Sequence, residues 1–217
     1  MADEAKAKFE KERNDVLKAL PDELKNVFGT IGFCLGDEDD DDDEGDTAAA
    51  TPPTTTSTSY MQPVLIVSPY DVPPKPVRDI YWMDAFSKAK RSKAKLKKLD
   101  YLVYVYGSDD PDDCYNFVPH DDFVPVEQGV KSGMDVLPKY VADKPESERT
   151  GFETKLARAL EEMKADLPKA PGDRKHGSPF LEGYEKMRRQ EEEDAAAAAK
   201  NGNGSSSPQP PAKKQKT

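Results

Sequence analysis

The sequence predicts a mainly β fold with helices: a small β-barrel or curled sheet followed by a packing helix, with an N-terminal helical hairpin and disordered linkers and tail. Three observations predict it. Several short, apolar, β-branched runs lie between residues 62 and 126, separated by turn signals. A capped run of helical periodicity follows them. The flanking segments have no apolar periodicity.

In chain order, residues 1–36 read as an N-terminal helical segment. Phe9, Val16, Leu17 and Leu20 form one stripe at helical spacing. Pro21 restarts the chain at a first-turn position, and Asp22 and Glu23 follow where the helix dipole favours acids. Leu24, Val27, Phe28 and Ile31 make the second stripe. These faces need a partner, either the central domain or another protein. Residues 37–61 read as an acidic, low-complexity disordered linker: Asp37 to Asp46 is almost unbroken acid, and Ala, Thr, Pro and Ser follow.

Residues 62–167 read as the folded domain. Val64-Leu65-Ile66-Val67 is a strand closed by Ser68-Pro69, and Val77 to Phe86 is a second candidate strand whose end can turn helical. Leu102 to Tyr106 is the strongest strand, stopped by Gly107-Ser108-Asp109-Asp110-Pro111. Tyr115 to Val118 and Phe123 to Val126 follow. Thr150 and Glu153 fit a capping box, and Phe152, Leu156, Ala159, Leu160, Met163 and Leu167 keep one helical face until Pro168. Residues 168–200 form a charged helical extension without an apolar face, and 201–217 a disordered basic tail.

Composition limits what this chain can do. Of 217 residues 35% are hydrophobic and 34% charged, with 19 prolines, so one core of roughly 100 residues is expected. The net charge of -10 argues against uniform coating of nucleic acid, but Lys88 to Lys98 is densely basic. Cys34 and Cys114 have no metal-like or disulfide-framework spacing. No secretory signal and no apolar run near 20 residues is present, so neither export nor a membrane partner is expected. His120 and His176 lie in no ligand cluster, and there is no phosphate loop, nucleophile elbow or HExxH. Asp112-Asp113 and Asp121-Asp122 sit in turn sequence, where aspartate serves the turn. No enzyme, no cofactor and no metal is expected.

Leu102–Ser108 (LVYVYGS), Phe117–Val126 (FVPHDDFVPV) and Phe152–Met163 (FETKLARALEEM) together resemble the third strand, the following strand and turn, and the packing helix of the PWWP domain. That family is a Tudor-like group of chromatin readers on an SH3-like barrel. The resemblance covers about residues 62–167. It implies binding to histone tails or nucleosomes, methyl-lysine among the marks, and a nuclear location. The Pro-Trp-Trp-Pro signature is absent; Pro73-Pro74-Lys75-Pro76 and Tyr81-Trp82 are the nearest pieces. Val105 stands where the family places a cage aromatic, with Tyr104 and Tyr106 on either side.

A quaternary ammonium needs ring faces around a desolvated pocket. The rings available are Tyr70, Tyr81, Trp82, Tyr104, Tyr106, Tyr115 and Phe117; the cage candidates are Tyr70, Trp82, Tyr104 and Tyr106. The plainer role of each ring is to fill the core. Lys88, Lys90, Arg91, Lys93, Lys95, Lys97 and Lys98 suit DNA phosphates without reading sequence; a solvated loop balancing the acids is the plainer role. Lys213, Lys214 and Lys216 after Pro210-Pro211 suit nuclear import receptors. The alternative from another class is an acidic scaffold or histone-chaperone-like adaptor with a structural barrel.

Overall fold

A computed structural model describes residues 2–36, 60–72, 77–108, 110 and 114–174, together with 183, 186–187, 189–190 and 193. Residues 1–177 make one compact unit and 178–217 a second. In the second, the described residues are helical and exposed, Met187 among them.

The first unit is built on a five-stranded antiparallel sheet. Its strands are β1 (Ile31–Gly36), β2 (Tyr60–Ile66), β3 (Tyr101–Val105), β4 (Tyr115–Val118) and β5 (Val124–Pro125), in the order β4-β3-β2-β1-β5. β1 faces β2 from Ile31↔Leu65 to Gly36↔Tyr60, and β5 returns to the outer side of β1 through Phe33↔Val124. The strands read at Val64–Val67, Leu102–Tyr106, Tyr115–Val118 and Phe123–Val126 are therefore present, with ends that shift by a few residues at most.

Both faces of the central strands are buried, which explains the unbroken apolar run Val64–Val67. Cys34, Val64, Ile66, Val103 and Val118 pack together on one face, with Phe28, Tyr101 and Phe123 against them. Ile31, Phe33, Leu65 and Tyr104 occupy the other face, all nearly without exposure.

Two local expectations are corrected. Ile31 does not extend the second helical stripe. Helix α2 covers only Asp22–Lys25, and Gly29 at φ +82° turns the chain into β1. The N-terminal segment thus supplies a central strand. Val77–Phe86 is not a strand. A π-helical turn at Val77–Trp82 runs into helix α3 (Met83–Ala89). Its buried residues are Arg78, Trp82, Phe86 and Ala89, a spacing of three and four that belongs to a helix. The expectation of a mainly β fold is corrected with them, since more described residues lie in helices than in strands.

The other helices position these parts. Helix α1 (Ala2–Ala19) buries Val16, and Leu20 just beyond it, while Phe9 meets the Tyr70 ring edge-on at 5.8 Å. Short helices α4 (Lys93–Leu96), α5 (Val126–Lys131) and α6 (Lys139–Ala142) follow in order. Helix α7 (Gly151–Asp166) begins with the expected capping box: the Thr150 hydroxyl accepts from the Glu153 amide at 3.2 Å, and the Glu153 carboxylate accepts from the Thr150 amide at 3.0 Å. Leu156, Ala159, Leu160 and Met163 bury its inner face.

Candidate functional site

The connection from β2 to β3 carries both a pocket and the basic run. The pocket is a small recess that opens to solvent. Leu20, Leu24 and Phe28 of the N-terminal segment form one wall. Ile66, Val67 and Pro69 form the floor side, with Trp82, Leu99, Asp100, Tyr101 and Leu102 around them. Three rings and one exposed carboxylate, Asp100, therefore converge on an otherwise apolar recess. Aromatic faces with a carboxylate at the rim attract a weakly hydrated cation, because ring quadrupole and full charge act together in a dry space.

Tyr70, Trp82, Tyr104 and Tyr106 do not form one open cage. Their exposures are 7%, 5%, 2% and 2%. Trp82 stacks on Phe86 at 5.1 Å and meets Tyr70 edge-on at 6.4 Å, so only part of its indole reaches the pocket. The Tyr70 hydroxyl donates to Glu12 at 3.2 Å, and the Arg78 guanidinium covers its ring at 5.4 Å. Burial, reinforced by the Glu12 charge, pushes the Tyr70 phenol up to about 12. Tyr104 and Tyr106 meet each other edge-on at 5.5 Å, away from the pocket lining. The Tyr106 hydroxyl donates to the buried Asp166 carboxylate at 3.0 Å, and burial raises this phenol strongly. These rings bind helix α7 and helix α1 to the sheet, a packing duty that removes their faces from solvent. Pro73 to Pro76 lies outside the described residues.

Comparison with protein-family models, with curated proteins and with solved structures found no match to this chain.

All seven residues of the basic run are exposed, spread over the end of α3, the following turn, α4 and the turn into β3. Lys88 pairs with Asp84 at 2.5 Å, and Lys97 with Glu23 at 2.5 Å. Hydrogen bonding from Lys97 holds the Glu23 carboxyl below its usual range. Among the described residues, Lys90, Arg91, Lys93, Lys95 and Lys98 make no ion pair with an acid. The turn is fixed by the Ser92 hydroxyl, which accepts from the Lys95 amide at 3.4 Å, and by Leu96, buried beneath it. The Lys97–Glu23 pair stands beside the pocket, since Leu24 and Leu99 line it.

Sequence reasoning singled out Trp82, Leu20, Leu24 and Phe28 without joining them. It missed Tyr101 and Asp100, whose only signal is their place immediately before the strongest strand. Lys213, Lys214 and Lys216 and the acid run Asp37–Asp46 lie outside the described residues. Among the described residues no group of three His, Cys, Asp or Glu is placed to hold a metal, and no helix is long and apolar enough to cross a membrane. Cys34 and Cys114 are buried and in no disulfide.

Proposed function

We propose that this chain is a nuclear, chromatin-associated binding module whose Lys88–Lys98 turn contacts DNA phosphates without sequence preference. In this reading the pocket beside the turn receives an alkylated ammonium side chain of a histone tail. The observation that carries it is the set of five exposed cations, unpaired among the described residues, on a turn anchored by Leu96. Each cation that neutralises a phosphate frees a counterion condensed on the DNA, and a cation already paired with a carboxylate must give up that pair first. Relative to the ring set expected from sequence, the ammonium site moves to Trp82, Phe28, Tyr101 and Asp100.

The resemblance to an SH3-like barrel belongs to the same proposal. Five residues join β4 to β5, and His120–Asp122 among them form a 3-10 turn. Such a link spans at most ~16 Å at about 3.3 Å per extended residue and about 2.0 Å per 3-10 residue. Four strand spacings in a flat sheet need ~19 Å. A sheet curled toward closure resolves the mismatch, and the strand order, with β5 beside β1, suits such a barrel.

The test is a nucleosome pull-down with and without lysine methylation, at about 50 mM and about 200 mM salt. Binding that falls steeply with salt and rises with methylation is expected. Binding of free histones but not of DNA or nucleosomes would favour the second reading, an acidic scaffold or histone-chaperone-like adaptor. The burial of Tyr70, Tyr104 and Tyr106 favours that alternative, because rings sealed in the core make the domain a support rather than a reader.

A further inference from the structure

The geometry points to Tyr81 as a stacking platform for an unpaired base of a single-stranded nucleic acid whose backbone follows the Lys88–Lys98 turn. This rests on the reading of that turn as a phosphate contact and adds to it the form of nucleic acid preferred.

Ile80 and Tyr81 are 60% and 64% exposed, side by side on the π-helical turn that precedes α3. Their neighbours Arg78 and Trp82 are buried, at 8% and 5%, so the turn is anchored and cannot simply rotate its apolar side inward. An exposed ring alone is ordinary. Here its surroundings are not. Tyr81 in the π-helical turn and Lys88 in the last turn of α3 lie on one continuous helical segment, seven residues apart. Lys90, Arg91, Lys93, Lys95 and Lys98 continue from that end, exposed and without an ion pair among the described residues.

The two carboxylates flanking Tyr81 on this helix do not oppose an incoming phosphate with full charge. Asp79 is held by Arg78 at 2.6 Å, and Asp84 by Lys88 at 2.5 Å. A phosphodiester strand approaching the turn therefore meets excess positive charge, with the exposed Tyr81 ring on the helical segment that leads into it.

The occupant is single-stranded because of what a ring can reach. In a duplex both faces of every base are already stacked, and a side chain must separate a step to touch one. An unpaired base offers its face freely, and every base has one, so such binding tolerates any sequence.

The experiment measures anisotropy of the full chain with a labelled thymidine oligomer of about 15 nucleotides and with a duplex of the same length. Wild type is compared with Tyr81→Ala, Tyr81→Phe and the triple variant Lys93→Ala, Lys95→Ala, Lys98→Ala. Tyr81→Ala should weaken single-strand binding roughly 5- to 100-fold while leaving duplex binding unchanged, and Tyr81→Phe should retain both. The triple variant should weaken both ligands. Unchanged single-strand binding in Tyr81→Ala, or equal weakening on both ligands, overturns the stacking role while leaving the phosphate reading intact. A wild-type chain that binds neither ligand overturns both. Equal unfolding midpoints for wild type and Tyr81→Ala establish that the comparison is between folded proteins.

Discussion

Gly107 lies at φ +75°, immediately after Tyr106, where the chain leaves the strongest strand beneath α7. A Cβ there would sit 2.5 Å from the Lys155 carbonyl oxygen and 2.8 Å from the Ala159 side chain. Its amide donates to Glu162 at 2.9 Å and its carbonyl accepts from Arg158, so the position is held on both sides. We expect Gly107→Ala to cost at least ~1–3 kcal/mol, read from the urea midpoint, because both the backbone conformation and the packing against the helix resist the change. A midpoint equal to wild type would mean that α7 moves away at no cost. Trp82 poses a different question. It is nearly sealed and stacked on Phe86, yet it lines the pocket. Trp82→Ala should cost ~3–5 kcal/mol as a core truncation, so loss of peptide binding in that variant alone would not test the proposed ammonium site. Asp100→Asn, at an exposed rim, is the cleaner probe: unchanged stability and weaker binding of a trimethyl-lysine peptide are expected. If binding survives Asp100→Asn undiminished, the carboxylate plays no part in recognition. Glu153 gives the pH dependence. Hydrogen bonding from Lys144 at 2.6 Å, and then from the Thr150 amide, holds its carboxyl below the usual range. Its folded pKa is depressed, so its contribution is present above the unfolded value, about 4.3, and is lost as pH falls through the folded one. Glu153→Gln should therefore destabilise the protein near neutrality and narrow its difference from wild type in acid. A constant difference from neutral pH to about pH 3 would show that the charge is irrelevant.

At the scale of elements, the β2–β3 connection shows how sequence periodicity can mislead. Val77, Ile80, Tyr81 and Trp82 are good strand formers, and a window centred on them reads as β. A window that reaches Phe86 and Ala89 finds the helical spacing that the core uses. The basic run was legible as a charge cluster, because cations this dense stay in solvent under any fold. Which of them are engaged was not legible, since Glu23 lies 74 residues from Lys97 in sequence. For Lys93→Ala, Lys95→Ala and Lys98→Ala together, we expect stability within ~0.5 kcal/mol of wild type, as for other exposed sites. The slope of log affinity against log salt for duplex DNA should fall by about one unit for each phosphate that is no longer neutralised. An unchanged slope would make these lysines bystanders.

At the scale of the whole molecule, the N-terminal segment is the main departure from expectation. β1 pairs with β2 on one side and β5 on the other, so removing residues 1–36 would strip one long edge of β2 and leave β5 without a partner rather than trim an accessory. A protease site placed between Gly36 and Tyr60 and then cleaved should leave two fragments that elute together, because six β1 residues remain in register with β2. Their separation in native buffer would show that β1 contributes little to the core.

What the sequence alone determined is whatever depends on local chemistry. Thr150 and Glu153 cap α7 because their side chains reach backbone groups three residues away. Val64–Val67, Leu102–Tyr106 and Tyr115–Val118 extend because β-branched and aromatic runs fit a pleated, buried surface. Only the tertiary structure decided the rest. Ile31, Phe33 and Leu35 carry alternate positions of a strand, but Gly32, Cys34 and Gly36 between them blur the signal, and the partner that makes it a strand begins at Tyr60. Tyr70 has Arg78 over its ring and Glu12 on its hydroxyl, and Tyr106 has Asp166 on its hydroxyl; of the three only Arg78 is near its partner in sequence. Whether an aromatic side chain fills a core or faces a ligand depends on what covers it, and the covering groups arrive from distant parts of the chain.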